Sequence, residues 1–408
     1  MHVLLLNAGS SSLKASLLDA GSGAVAGRAS ADWAGVATRY ERPGPGGRPA
    51  SDEVAWRGHD EAVRRALADL LALPGVDRPA AVGHRIVHGG EFHDSVRITP
   101  AVRARIAALA ELAPLHNPPG LQALAAAEAL LPDVPHVATF DTAFHASLPQ
   151  EVRTYPLPDA WTRAWGLRRY GFHGLSHAYA AARAAAMLAR PAEGLRLVTC
   201  HLGHGCSAAA VLGGRCIDTT MGFTPLDGLM MATRSGAVDP GLLLHVQIRH
   251  GLSAAEVERA LYHEAGLLGV SGVSADMREV LAAAGAGHER ARLALDVYAH
   301  RVRQAIGALA ATLGGLDALV FTGGVGENAA AVRAASCGRL QFLGLELDED
   351  ANARARPDAD VATRGSAARI LLIAAREDLT MLDEVRRVVA LDDRHAERKK
   401  NTTRRMHR

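Results

Sequence analysis

The chain is 408 residues long, 49% apolar and 22% charged, with a formal net charge of +2. This composition folds as a globule and excludes a chain held open by self-repulsion. The length is too much for one compact core and suits two ordinary domains. Six Lys and Arg crowd into residues 398–408 without an acidic neighbour, which leaves the body mildly acidic and excludes a nucleic-acid-binding face. Residues 392–408 are expected to be a disordered, basic, solubilising tail. The start, MHVLLLNAG, has no basic leader ahead of a sustained apolar run, and no run of 18 apolar residues occurs. The protein is therefore expected in the cytoplasm with no membrane partner. Cys200, Cys206, Cys216 and Cys337 lack the CxxC spacing of a metal site.

In chain order, residues 2–6 (HVLLL) predict a strand that enters the turn NAGSSS, and 13–18 resume the extended pattern. Residues 35–52, rich in Gly, Pro and Arg, read as a loop or a worn-down strand pair. Helical periodicity covers 101–112, 121–131 and 176–189. A second hairpin of the same design follows, with 197–200 entering HLGHGCS and 208–212 leaving it. Its distance of half a chain from the first is the mark of a duplicated architecture. Helices are expected over 253–264 and over 288–313, the latter stopped by Gly314 and Gly315. Strand LDALVF then runs into FTGGVGEN, with a helix expected to open at Ala329. A strand over 369–374 and a helix over 379–389 close the chain. The expected fold is α/β with two lobes and a cleft between them.

Gly/Ser turns expose backbone N–H groups without side-chain bulk, which suits phosphate oxygens, although singly such turns are ordinary hairpin tips. FTGGVGEN fits neither GxGxxG nor a P-loop, so it would be an anion seat of another kind. Arg85 in GHRIVHGGE and Arg234 in TPLDGLMMATRSGAVDP stand in turn-rich segments with little other charge. There a buried guanidinium would need an anion partner. His116, His145, His173, His177 and His201 recur in turns marked by Gly or Pro. Asp141 follows the strand HVATF, where turn capping and a place facing the cleft are equally good readings. Lys14 is the only lysine before the tail.

Taken together, LLLNAGSSSLK, GHRIVHGGE, LAPLHNPPG, ATFDTAFH, RYGFHGLSH, HLGHGCS, DTTMGFTPLDGLMMATRSGAVDP, SGVSADMRE and FTGGVGEN resemble the signature segments of acetate kinases, in that family's order. The resemblance spans residues 3 to about 390. It implies the duplicated ASKHA fold (acetate kinase, sugar kinase, Hsp70, actin), a homodimer, ATP/ADP, and Mg²⁺ with Mn²⁺ as a substitute. It implies a first lobe of residues 1–147 completed by a helix at 379–391, and a nucleotide-binding lobe over 148–378. Catalytic roles fall on Arg85, Arg234, His173, His116 and Asp141, and metal roles on Asn7 and Glu377. Val87, Leu115, Phe172 and Pro225, with Arg85, would receive acetate. The nucleotide would be held by Ser10, Ser12, Lys14, His201, Leu202, Gly203, His204, Gly205, Asp276, Met277, Arg278, Gly323, Gly324, Val325, Gly326 and Asn328. The family usually has HLGNGSS and T-x-E-E-L where this chain has HLGHGCS and AAREDL, so His204 and Cys206 are departures and Glu377 is less securely framed.

An acetate acceptor is already ionised at neutral pH and needs no general base. The obstacle is bringing two anions together, a task for arginines and Mg²⁺ in direct in-line transfer. Replacing either arginine is expected to cut turnover on the order of 10³-fold or more and to leave folding nearly unaffected, and His204 is expected to gain positive charge beside phosphates. A propionate or other short-chain carboxylate kinase is the alternative within the family. An actin- or Hsp70-type ATPase switch is the alternative of another class, and the acidic D-x-G-T loop of such modules is absent.

Overall fold

The computed structural model describes residues 1–44, 48–113 and 117–390. Leu115, His116 and the basic tail lie outside the described residues. The chain divides into two compact units, Met1–Ala143 with the segment from Arg376 onward, and Phe144–Ala375.

The first unit holds strands β1 (His2–Gly9), β2 (Ser12–Asp19), β3 (Val25–Asp32), β4 (Thr38–Pro43), β5 (Pro49–Val54), β6 (Ala81–Ile86), β7 (Val96–Arg97) and β8 (His136–Phe140). They form one sheet in the order β5-β4-β3-β2-β1-β6-β8-β7. β1, β2 and β3 are an antiparallel meander, while β6 runs parallel to β1 and β8 parallel to β6. Val3 to Leu6 are all buried, as a central strand covered on both faces requires. Helices His59–Leu71 and Asn117–Leu130 lay Ala62, Ala66, Leu70, Ala123 and Ala127 against Leu4, Leu6, Leu13 and Leu17 on one face. On the other face a helix over 377–390 brings Val385 against Gly83.

The second unit repeats the plan with β9 (Arg196–Leu202), β10 (Cys206–Leu212), β11 (Arg215–Thr219), β12 (Ala318–Thr322), β13 (Ala359–Asp360) and β14 (Arg369–Leu372), in the order β11-β10-β9-β12-β14-β13. Again a three-strand antiparallel meander continues through its first strand into two parallel strands. Helix Gly174–Met187 buries Ala180, Ala181 and Ala184 with Leu197, Val211 and Val320. Helix Glu289–Leu313 starts at His288, whose ring accepts from Ala291 N–H, and ends at Gly314 in the left-handed conformation.

Of the two readings of residues 35–52 the strand pair holds, with β4 antiparallel to β5 at the sheet edge. Two expectations change. The segment read as one helix over 253–264 is α-helical only over Ala254–Arg259 and passes into a π-turn over Ala260–Glu264. The helix placed at Ala329 begins six residues earlier, because the glycines themselves form helix Gly323–Asn328 before a second helix, Ala330–Cys337.

Candidate active site

In the first unit, Arg85 leaves the carboxyl end of β6 and meets Asp141, one residue past β8, in a two-pronged pair. Its Nε lies 2.8 Å from Oδ1 and its Nη2 2.6 Å from Oδ2. Nη1 donates to Oδ1 of Asn7 on β1 at 3.2 Å and lies 3.6 Å from Oε2 of Glu377, in the first turn of the 377–390 helix. Asp141 is 1% exposed. Burial alone would weaken the guanidinium's hold on its proton, but the Asp141 and Glu377 charges overcome that and hold it fully ionised. Parallel strands β1, β6 and β8 thus end together and gather two carboxylates, an amide and a cation. Lys14 stands directly opposite Asn7 across the hairpin, and Ser10 and Ser12 lie at the hairpin's tip.

The matching hairpin of the second unit turns through Gly203, His204 and Gly205. Arg234 reaches the same turn from the loop after β11. Its Nη1 donates to the Pro225 carbonyl at 3.2 Å, and among the described residues no carboxylate pairs with it. Burial therefore depresses its pKa, a sign of a cation short of an anion. A Cβ on Gly205 would lie 3.3 Å from Nε2 and Cε1 of His173 and 3.8 Å from Nη1 of Arg234, so the bare glycine admits both groups. His173 sits at φ 57° before helix Gly174–Met187. It is hydrogen-bonded through Nδ1 to Ser207 at 2.9 Å and packs its ring 4.4 Å from that of His201.

Beside the turn lies a pocket of about 790 Å³ lined by Gly203, His204, Leu267, residues 274–278, Leu281, Gly324, Val325, Asn328 and Ala329. Gly323 can enter the helix only as glycine. Its φ is +79°, and a Cβ would sit 2.8 Å from the Leu202 carbonyl oxygen. Asp276 caps helix Met277–Gly285 and holds Arg278 in an ion pair. The His204 side chain is exposed at the pocket, and its pKa is lowered first by partial burial and then by the Arg234 charge.

Eight of the residues expected to hold nucleotide line this pocket: Gly203, His204, Asp276, Met277, Arg278, Gly324, Val325 and Asn328. Leu202, Gly205, Gly323 and Gly326 are not among its lining residues, and His201 is hydrogen-bonded to Ser176, 2.8 Å from its Oγ. Lys14, Ser10 and Ser12 belong to the first unit. Of the acetate set, Val87 follows Arg85 in the first unit, whereas Phe172, 1% exposed, and Pro225 belong to the second. The sequence reading passed over Leu267, Ser274, Ala275, Leu281 and Ala329. Leu281 stands one helical turn after Met277, a spacing that could have shown it.

A twice-used sheet with glycine turns at its strand ends, cations gathered at those ends and a nucleotide-sized pocket is the pattern of an ASKHA-fold phosphotransferase. A sequence model of the Acetokinase family matches residues 2–383. The chain is 47% identical over 392 residues to an acetate kinase of Cyanothece sp., covering 93% of this chain and 96% of that one. It is 45% identical to the acetate kinase of Deinococcus radiodurans, covering 95% and 98%. Among solved structures, Porphyromonas gingivalis acetate kinase superposes with a TM-score of 0.88 at 39% identity, covering 95% of this chain and 99% of that one. A propionate kinase of Francisella tularensis gives 0.88 at 35%, with the same coverage. The chain belongs to the acetokinase family, whose members are phosphotransferases with a carboxyl acceptor.

Proposed function

We propose that the protein catalyses reversible transfer of the γ-phosphoryl group of ATP to acetate, giving ADP and acetyl phosphate. The observation that carries this reading is Arg234, a partly buried guanidinium with no carboxylate partner among the described residues and with His173 beside it. A cation held in this way gains most from the arrival of an anion. An acetate oxygen attacks phosphorus, the bond to the bridging oxygen of ADP breaks, and its electron pair leaves with ADP. No side chain need take a proton, because the acceptor is already ionised. Arg85, Arg234 and His173 offset negative charge on the phosphoryl group and the carboxylate. Val87, Leu115, Phe172 and Pro225 enclose the acetate methyl, and the second-unit pocket takes the adenosine.

The donor set of Asn7, Asp141 and Glu377 is all oxygen, the kind that Mg²⁺ takes together with substrate phosphates. Asn7 and Glu377 would hold the ion, with Mn²⁺ as a substitute. When bound, the ion neutralises phosphate charge. Asp141 stays on Arg85 and keeps it oriented. His116 completes the catalytic set. We also read the protein as a cytoplasmic homodimer. Helix Pro240–His250 has no buried residue and leaves Leu242, Leu244 and Ile248 53%, 58% and 73% exposed, an apolar face that a second copy would cover. Among the described residues no helix is long and apolar enough to cross a membrane.

Acetyl phosphate formation measured with acetate, propionate and butyrate tests the reading. Acetate should lead by about 10-fold or more in kcat/KM, the discrimination one methylene gives. Equal use of propionate would reassign the chain to the short-chain carboxylate kinases represented by the Francisella structure.

A further inference from the structure

Behind His173 runs an unbroken hydrogen-bonded chain. Oγ1 of Thr199 lies 2.7 Å from Nδ1 of His177, Nε2 of His177 lies 2.8 Å from Oγ of Ser207, and the same Oγ lies 2.9 Å from Nδ1 of His173. Thr199, His177 and Ser207 are each 0% exposed, so water does not compete for these protons. The outer edge of His173, with Nε2, faces Gly205 and Arg234.

With the Ser207 hydroxyl donating within the chain, two proton orders remain. Burial keeps the His177 imidazole neutral, with one N–H and one acceptor nitrogen. If the N–H is on Nδ1, His173 gives its Nδ1–H to Ser207, Ser207 donates to His177, and the Thr199 hydroxyl is left with the Ala209 carbonyl at 3.5 Å, a poor bond. A neutral His173 would then carry an acceptor nitrogen rather than a donor at Nε2, on the edge that faces Arg234. If the N–H is on Nε2 of His177, every donation reverses. Thr199 donates at 2.7 Å, His177 donates to Ser207, Ser207 donates to Nδ1 of His173, and His173 carries its own proton on Nε2. Protonating His173 is the other route to an Nε2–H, but it would place a second cation beside Arg234. Two further imidazoles pack on the chain: His201, hydrogen-bonded to Ser176, lies 4.4 Å from the His173 ring, and His145 lies 5.9 Å from the His177 ring.

We propose that Thr199, His177 and Ser207 are positioning residues that order the protons of this chain, so that His173 meets the transferring phosphoryl group as a neutral Nε2–H donor. The idea rests on the phosphoryl-transfer reading of the site. It makes the donor available above the usual imidazole range, where an imidazolium would be lost.

Nitrogen-15 NMR of the full-length wild-type protein at pH 8 tests the proton order without any turnover, so its failure is distinct from failure of the functional reading. The His173 signals, identified by their loss in His173→Gln, should show the Nε2–H tautomer. An Nδ1–H tautomer or a cation there overturns the proposal. In Ser207→Ala the order is lost, and kcat at pH 8.5 should fall by about 10-fold or more, within the effect of removing a preorganised donor. The deficit should narrow towards pH 6, as protonation restores Nε2–H. An equal loss at both pH values, or none, contradicts it.

Discussion

The two arginines of the site are built differently, and their replacements should separate. Arg234 has no carboxylate to leave behind, so Arg234→Ala should cut kcat by ~10³-fold, the scale of an arginine contact in phosphoryl transfer, with an unchanged or higher melting temperature. Arg85→Ala should cost similar activity but also take from Asp141, 1% exposed, its two-pronged ion pair. Breaking a buried pair in this way costs about 3 kcal/mol. The expectation that both variants fold normally is therefore corrected for Arg85. Parallel denaturant melts and initial rates decide it, and equal stability of the two variants would refute the distinction. Both arginines were visible in the sequence as lone charges among glycines. Arg85's partner was not, because Asp141 lies 56 residues away and only the parallel pairing of β6 with β8 brings the two together.

At the scale of elements, the turn Gly203–His204–Gly205 bears on the departure from the family pattern. The expectation that His204 gains charge is opposed in the free protein, where burial and then Arg234 depress its pKa. That direction favours the neutral ring in the free protein. The kcat/KM profiles for ATP of wild type and His204→Asn should superimpose from pH 7 to 9, and a basic-side limb confined to wild type would restore the charged role. The neighbouring strands carry a second pH effect. His84 on β6 lies 2.9 Å from His136 on β8, whose other nitrogen donates to the Leu131 carbonyl. Burial lowers the pKa of both, and that of His145 falls to about 4. A depressed folded-state value means that the unfolded chain binds more protons below pH 6.5, so stability is lost as pH falls through that range. His145 alone accounts for about 3 kcal/mol by pH 4. Urea midpoints should drop steeply between pH 6.5 and 4.5, above the range where the paired carboxylates titrate, and a flat response there would show these rings to be accessible. The glycine helix Gly323–Asn328 escaped the sequence reading because glycine is a poor helix former. Close packing on Leu202 overrides that preference.

Across the whole molecule, the duplication was legible because each copy begins with an apolar strand, a Gly/Ser turn and a second strand, a local pattern. The edge pair of β4 and β5 was legible only as one of two readings, since edge strands carry the charge and proline that loops also carry. Helix Pro240–His250 presents an apolar face on which Leu242, Leu244 and Ile248 are each more than half exposed. If the proposed homodimer forms through this face, the double variant Leu244→Asp and Ile248→Asp should be monomeric in light scattering after gel filtration. A dimer that survives both charges would move the interface elsewhere. The central claim is that the γ-phosphoryl group goes from ATP to acetate, and the stoichiometry of the purified protein tests it directly. With ATP and Mg²⁺, ADP should appear only when acetate is present, one acetyl phosphate formed for each ADP released. ADP released at the same rate without acetate, and without acetyl phosphate, would contradict it and point to an ATPase.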